Sequence, residues 1–236
     1  MVQPRNAATV VLLRPGENGD FKILLTRRPP QMRFLGGYYV FPGGAVHRDD
    51  YSSKVLERCR GLSANDARRI LGTDDNANQA LGHWVAVIRE LFEEVGVLLC
   101  LMESGDDLDL RDSGAKDRIE CKRQAIVKNE LDFGSFLESE NLLCDLSRAV
   151  YFDHWVTPEI YSMRFDTRFY IAKLPSYQVP LAASEEVIDS LWLSPQHALS
   201  RIHRHDFPLL PPTTTVLAEL GRIGSWRDLQ DRFHLV

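Results

Sequence analysis

The segment Arg89–Gly96 most constrains the fold, because its residue pattern is typical of the last two turns of an α-helix. At 100° per residue, Glu90, Glu93 and Glu94 fall within an arc of roughly 100°. The opposite side of this helix is apolar and carries Trp84, Val87, Ile88, Leu91, Phe92 and Val95. Gly96 suits a left-handed helix stop. The segment therefore predicts a helix that packs on one side and collects negative charge on the other.

The acidic side of this helix has two interpretations. Three neighbouring carboxylates raise one another's pKa unless a divalent cation or an arginine neutralises them. Arg89 stands four residues before Glu93, within reach of an ion pair. Carboxylate oxygens are the ligands that Mg²⁺ and Mn²⁺ prefer. The helix alone predicts either a metal site or an ordinary solvated acidic surface.

A second segment, Tyr38–Gly44, ends a strand with two adjacent glycines. Its first four residues are aromatic or β-branched and predict a strand, which Pro42, Gly43 and Gly44 then break. Glycines at such a position let backbone groups approach a ligand or metal closely.

Taken together, Gly44 and the segment from Arg89 to Val97 resemble the Nudix box. That pattern is Gly, five residues, Glu, seven residues, then Arg-Glu-apolar-x-Glu-Glu-x-Gly-apolar. Its second half matches here at Arg89, Glu90, Leu91, Glu93, Glu94, Gly96 and Val97. The resemblance implies the α/β Nudix fold, an α/β/α sandwich with a mixed β-sheet. It also implies metal-assisted hydrolysis, with Mg²⁺ or Mn²⁺ on Glu90, Glu93 and Glu94, and Arg89, Glu93 and Glu94 as catalytic residues.

The first half of the box departs from the pattern. Asp50 stands where the pattern has Glu, and 38 residues separate it from Arg89 instead of seven. We therefore expect an insertion at about residues 51–80, with helices that run over the surface, since a loop tolerates such a segment at modest entropic cost. We do not assign Asp50 to the metal.

Upstream of the box, residues 24–44 resemble the signature of coenzyme A (CoA) diphosphohydrolases within the Nudix superfamily. The signature runs Leu-Leu-Thr-x-Arg-(Ser/Ala)-x3-Arg-x3-Gly-x3-Phe-Pro-Gly-Gly, and Pro29 is the one departure. Arg28 and Arg33 offer forked donors that suit phosphates. We assign substrate binding to Arg28, Arg33, Gly43 and Gly44. The insertion, with residues 155–158 and 164–170, resembles the branch that includes peroxisomal acyl-CoA diphosphatases.

The remainder of the chain predicts a single domain over residues 1–236. Apolar alternation and turn signals predict strands at residues 7–13, 21–26, 97–101, 149–156, 164–173 and 191–193. A second helical insertion is expected at about residues 103–148, and a C-terminal helical segment at about 195–236. Within that segment, Thr213 is the expected cap of a helix over residues 216–220.

A further acidic pair, Glu185-Glu186, precedes the strand at residues 191–193. In the superfamily a carboxylate in this loop often serves as a metal ligand or general base, and Glu186 stands where the resemblance suggests a catalytic residue. A solvated loop glutamate is the alternative. Histidines 154, 197, 203 and 205 show no pairing pattern and receive no role.

The composition limits the classes of binding partner that the chain is expected to have. A net charge of −5 argues against a protein that tracks a nucleic-acid backbone, which needs a basic stripe. There is no apolar run near 18 residues and no signal-peptide pattern, so we expect a cytoplasmic protein that binds no membrane. The expected partner is a small-molecule substrate, and a homodimer is possible.

Three functions fit these patterns. The first is hydrolysis of the diphosphate of CoA or acyl-CoA. The second is the same chemistry on another nucleoside diphosphate derivative, such as ADP-ribose, a dinucleotide or a nucleotide sugar, for which Pro29 leaves room. The third is a binding or regulatory protein that has lost catalysis, which the retained glutamates and Arg89 disfavour.

Overall fold

The computed structural model describes residues 2–74, 76–202 and 206–235. The strands are β1 (Arg5–Pro15), β2 (Phe21–Arg27), β3 (Tyr39–Val40), β4 (Gly43–Ala45), β5 (Cys59–Arg60), β6 (Cys100–Met102), β7 (Leu142–Asp145), β8 (Val150–Val156), β9 (Phe165–Lys173) and β10 (Asp189–Leu193). The helices are α1 (Ser53–Leu56), α2 (Ala64–Leu71), α3 (Ala77–Val95), α4 (Ser113–Val127), α5 (Phe133–Ser139), α6 (Pro195–Ser200), α7 (Pro211–Leu220) and α8 (Trp226–Phe233). Short 3₁₀ turns lie at Glu17–Gly19, Arg48–Tyr51 and Leu146–Arg148.

A mixed sheet forms the centre of the molecule. Its strands follow the order β10-β2-β1-β9-β8, with β3 paired to β2 and β4 paired to β1. Strand β1 runs antiparallel to β2 and parallel to β9. Alternate residues of β1 point to opposite faces. Val10 therefore packs with helix α3, whereas Val11 packs with helices α6, α7 and α8. This arrangement confirms the predicted α/β/α sandwich.

A smaller sheet joins the segments inserted on either side of helix α3. Strand β5 pairs in parallel with β7, and β6 pairs with β7 in antiparallel orientation. The segment at residues 51–80 contains helices α1 and α2, and most of its residues are exposed or half-buried. Val55 and Ala67 are buried in the main core, because helices α1 and α2 pack their apolar sides against the rest of the chain.

Two local predictions differ from the structure. Residues 97–99 are buried but do not belong to a strand; Leu98 instead exchanges two hydrogen bonds with the side-chain amide of Gln178, at 2.8 and 2.9 Å. Helix α7 begins at Pro211 with Leu210 as its N-cap, so Thr213 lies inside the helix rather than at its cap. Proline is favoured at the first helical position because the missing N–H has no partner there in any case.

Among the described residues, no helix is both long enough and apolar enough to cross a bilayer.

Candidate active site

Helix α3 carries the acidic cluster into the interior of the protein. The Asn76 side chain caps its first turn, and Gly96 ends it in the left-handed conformation with φ 71°. Glu90 and Glu94 are only 9% and 4% exposed, so the acidic side is buried as well as the apolar side. The interpretation of this face as a solvated acidic surface is therefore wrong.

Arg89 is the cation at the centre of the cluster. Its Nε and Nη2 atoms donate to the two carboxylate oxygens of Asp50 at 2.7 and 3.0 Å. Its Nη1 atom donates to Glu90 at 2.8 Å and more weakly to Glu93 at 3.4 Å, and Nη2 also reaches the carbonyl of Ala45 at 2.9 Å. The guanidinium thereby connects strand β4, the 3₁₀ turn at Arg48–Tyr51 and helix α3.

Asp50 thus has a role that its sequence position did not reveal. It is 1% exposed and accepts the backbone N–H of His47 at 2.8 Å in addition to the two bonds from Arg89. These three bonds use both of its oxygens. Asp50 therefore neutralises the arginine that holds the glutamates.

Arg89 does not fully offset the effect of burial on the three glutamates. Burial raises the pKa of Glu93 to about 7, although Arg89 opposes the shift. Burial also raises the pKa of Glu90, again against Arg89, and that of Glu94, where the nearby Glu90 adds to the shift and Arg28 opposes it. A bound cation would favour the ionised form of all three.

The two glycines before the helix lie against these carboxylates. A Cβ atom on Gly44 would come within 2.4 Å of Glu90 Oε1, so a larger residue there would displace that carboxylate. Gly43 has φ 156°, and its backbone N–H donates to the Glu94 carboxylate. The pair predicted from sequence as substrate-binding therefore contacts the acidic cluster directly.

The loop at residues 184–187 completes the wall of a cleft above helix α3. The cleft has a volume of about 40 Å³ and is lined by Glu90, Glu93, Glu94, Val127, Glu185 and Glu186. The structure thus brings Glu186 to the same cleft as the three box glutamates. Glu186 is also half-exposed, with 51% of its side chain accessible, so it can reorient toward a ligand.

The two predicted phosphate-binding arginines are placed differently. Arg28 bridges Glu94 and Glu186, with nitrogen–oxygen distances of 3.8 and 3.7 Å, and its Nε atom is buried without a hydrogen-bond partner. Arg33 lies on the exposed loop between β2 and β3 and makes none of these contacts. The structure therefore brings Arg28, but not Arg33, to the acidic cluster.

The donor set fits a hard divalent cation in chemical type, since every candidate ligand is a carboxylate oxygen. Within the described ranges, however, no three His, Cys, Asp or Glu side chains already converge as a ligand set. Arg89 joins Glu90 to Glu93, and Arg28 joins Glu94 to Glu186. For a cation to bind, these carboxylates have to move closer together than they lie in this structure.

One further residue of the site, Arg123, carried no recognised signal in the sequence. Arg123, on helix α4, is 2% exposed and reaches the backbone of Glu93. Glu185 faces Arg123 at 3.5 Å. The histidines that received no role stay outside the site where they are described: His154 pairs with Asp166 at 2.7 Å, whereas His203 and His205 lie outside the described residues.

Comparison with known proteins places the chain in a family. Residues 4–223 match the family model described as the NUDT19 Nudix domain. The acyl-coenzyme A diphosphatase NUDT19 of Xenopus laevis is 26% identical over 89% of this chain and 62% of its own length. The human protein of the same name is 25% identical over 92% of this chain and 64% of its own length. The chain thus spans a little under two thirds of these relatives.

A solved structure matches over nearly the whole chain. The crystal structure of a NUDIX hydrolase from Alicyclobacillus acidocaldarius is 28% identical, with a TM-score of 0.76 over 98% of this chain and 97% of that one. Its coverage includes both inserted segments and the C-terminal helices. The fold and the family resemblance expected from the sequence are both confirmed.

The geometry of Asp50 leads to a stability prediction. Asp50→Asn keeps the shape of the side chain but removes the charge opposite the buried Arg89. We expect the free energy of unfolding, measured by urea denaturation, to fall by about 3 kcal/mol, the low end for breaking a buried ion pair, because Glu90 still neutralises part of the charge. Asp49→Asn, at the exposed neighbouring position, is the matched control. Equal midpoints for the two variants would contradict this role.

Proposed function

Since the chain belongs to the family of NUDT19 Nudix domains, we propose that it hydrolyses the diphosphate linkage of CoA or acyl-CoA. The products would be adenosine 3′,5′-bisphosphate and phosphopantetheine, or the acylated form of the latter. The observation that carries the proposal is the position of the segment that resembles the CoA signature. Arg28 directly follows strand β2 and bridges Glu94 to Glu186, and Gly44 at the other end of the segment lies against Glu90.

The acidic side chains have distinct roles in this mechanism. Glu90, Glu93 and Glu94 would hold Mg²⁺ or Mn²⁺. When bound, such an ion supplies positive charge to the phosphoryl oxygens. Arg89 keeps Glu90 and Glu93 oriented through its bonds to both, and Asp50 keeps Arg89 in place.

Glu186 is the proposed general base. It lines the cleft beside the box glutamates and is exposed enough to meet a water molecule. It takes a proton from that water as the oxygen attacks one phosphorus, and the bridging P–O bond breaks. Arg28, which stands between Glu94 and Glu186, is placed to turn from them to the anionic diphosphate.

The reaction is tested with a substrate panel. Purified protein is incubated with Mg²⁺ or Mn²⁺ and CoA, acyl-CoA, ADP-ribose, NADH or nucleoside triphosphates, and products are identified by mass. We expect cleavage of CoA or acyl-CoA, and its loss when a chelator removes the metal. Cleavage of ADP-ribose or NADH alone would instead favour another nucleoside diphosphate derivative, and inactivity on every substrate would reject hydrolysis.

The glutamate assignment predicts the effect of two substitutions. Glu93→Gln and Glu94→Gln keep side-chain size but remove a charged ligand, so each is expected to lower the turnover number on the order of 100-fold or more. Circular dichroism should show an unchanged fold. Glu219→Gln, at an exposed position on α7 across the sheet, is the control. Turnover close to that of the control at saturating metal would remove Glu93 and Glu94 from the mechanism.

The substrate assignment predicts a role for Arg33. CoA carries a 3′-phosphate that dephospho-CoA lacks, and an exposed arginine can read this group without disturbing the acidic cluster. Arg33→Ala should raise the Michaelis constant for CoA about 10-fold, as expected for loss of one charge-assisted contact, and should change that for dephospho-CoA less. Arg227→Ala, at an exposed site on α8, is the control. An equal effect on both substrates would exclude recognition of the 3′-phosphate by Arg33.

A further inference from the structure

The C-terminal end of helix α3 is held by groups from two distant segments. The last carbonyls of a helix have no partner within the helix. Here the Glu93 carbonyl accepts from Arg123 Nη1 at 2.5 Å, the Glu94 carbonyl from Ser184 Oγ at 2.7 Å, and the Val95 carbonyl from the backbone N–H of Leu181 at 2.9 Å. The same turn therefore displays two cluster glutamates and anchors the loop that carries Glu186.

Arg123 is the cation at this junction. It is 2% exposed, and two of its nitrogens donate to the Glu120 carboxylate at 2.8 Å each. Its Nη2 atom also faces Glu185 at 3.5 Å. One guanidinium thus joins helix α4, the end of helix α3 and the loop at residues 184–187.

The two loop glutamates are consequently held by different arginines. Arg123 faces Glu185 from the side of helix α4, whereas Arg28 faces Glu186 from the end of strand β2. Glu185 is half-exposed, so its contact with Arg123 is worth little by itself. The buried bond to the Glu93 carbonyl fixes the guanidinium, so that its contact with Glu185 adds to the bonds by which Ser184 and Leu181 hold the loop to the end of helix α3.

We propose that Arg123 is a positioning residue for the hydrolysis, fixing the loop at residues 184–187 relative to the glutamates of helix α3. The inference rests on the proposed function and extends it, because it gives the inserted helix α4 a part in building the site. Arg123 itself does not contact the substrate. Its loss should therefore act on the turnover number through the geometry of Glu186, since small misplacements of reacting groups are costly.

The test compares Arg123→Ala with Arg123→Lys and with Arg118→Ala. Arg118 lies on the same helix but pairs with Glu140 at an exposed site, and so serves as the matched control. We expect Arg123→Ala to lower the turnover number on CoA about 100-fold with a similar Michaelis constant. Arg123→Lys should recover only part of the lost turnover, because lysine keeps the positive charge but lacks the planar guanidinium that can donate to several acceptors. Added guanidinium ion should partly rescue Arg123→Ala and leave Arg118→Ala unchanged.

Amide hydrogen exchange separates positioning from a loss of overall stability. We expect faster exchange in residues 184–187 of Arg123→Ala, with unchanged exchange in strands β1 and β9 of the central sheet. If Arg123→Ala does not fold, Glu185→Gln isolates the loop contact, because Arg123 keeps its bonds to Glu93 and Glu120. That variant should also show faster exchange in the same loop.

Two outcomes would overturn the proposal. One is wild-type turnover and wild-type loop exchange in folded Arg123→Ala. The other is a fall in turnover without faster exchange at residues 184–187, because Arg123 would then act on something other than the loop. A wild-type protein inactive on every diphosphate would reject the proposed function, while the exchange comparison would still decide whether Arg123 positions the loop.

Discussion

A buried arginine in a cluster of carboxylates is the constraint on which the site depends. Arg89 cannot be removed from water without partners, because an unpaired buried charge costs several kcal/mol. Asp50 supplies two hydrogen bonds and Glu90 a third. The arrangement explains how the two halves of the Nudix pattern stay together in spite of the long insertion. The 38 residues between Asp50 and Arg89 form separate elements, and the two side chains remain in contact.

The inserted segments pack against the elements that carry this site. Val55 and Ala67 belong to the main core, and strand β7 joins β5 to β6 in the smaller sheet. Phe136 of helix α5 stacks on Phe92 of helix α3 with ring centroids 4.9 Å apart. The apolar side of α3 is therefore packed partly by an inserted helix, and the end of α3 is held by Arg123 from another. The inserted helices α4 and α5, which resemble no named motif, therefore help to position helix α3, which carries the Nudix glutamates.

The sequence predicts the features that depend on local pattern. Periodicity predicts helix α3, and apolar alternation predicts the strands at residues 7–13 and 21–26, which the structure confirms as β1 and β2. The parallel pairing of β1 with β9 joins residues about 160 positions apart, which no local pattern encodes. Asp50 could not be paired with Arg89 without knowing the path of the insertion. Arg123 donates to the backbone carbonyl of Glu93. Every residue has a backbone carbonyl, so no sequence pattern identifies this partner.

The central claim is that the buried glutamates of helix α3 form a divalent-cation site, and direct Mn²⁺ binding tests it without any assumption about substrate. Electron paramagnetic resonance of free Mn²⁺ gives the dissociation constant for the wild type and for Glu90→Gln combined with Glu94→Gln. The account predicts one site in the wild type and affinity at least about 10-fold weaker in the double variant. Equal Mn²⁺ affinity in the two proteins would contradict it.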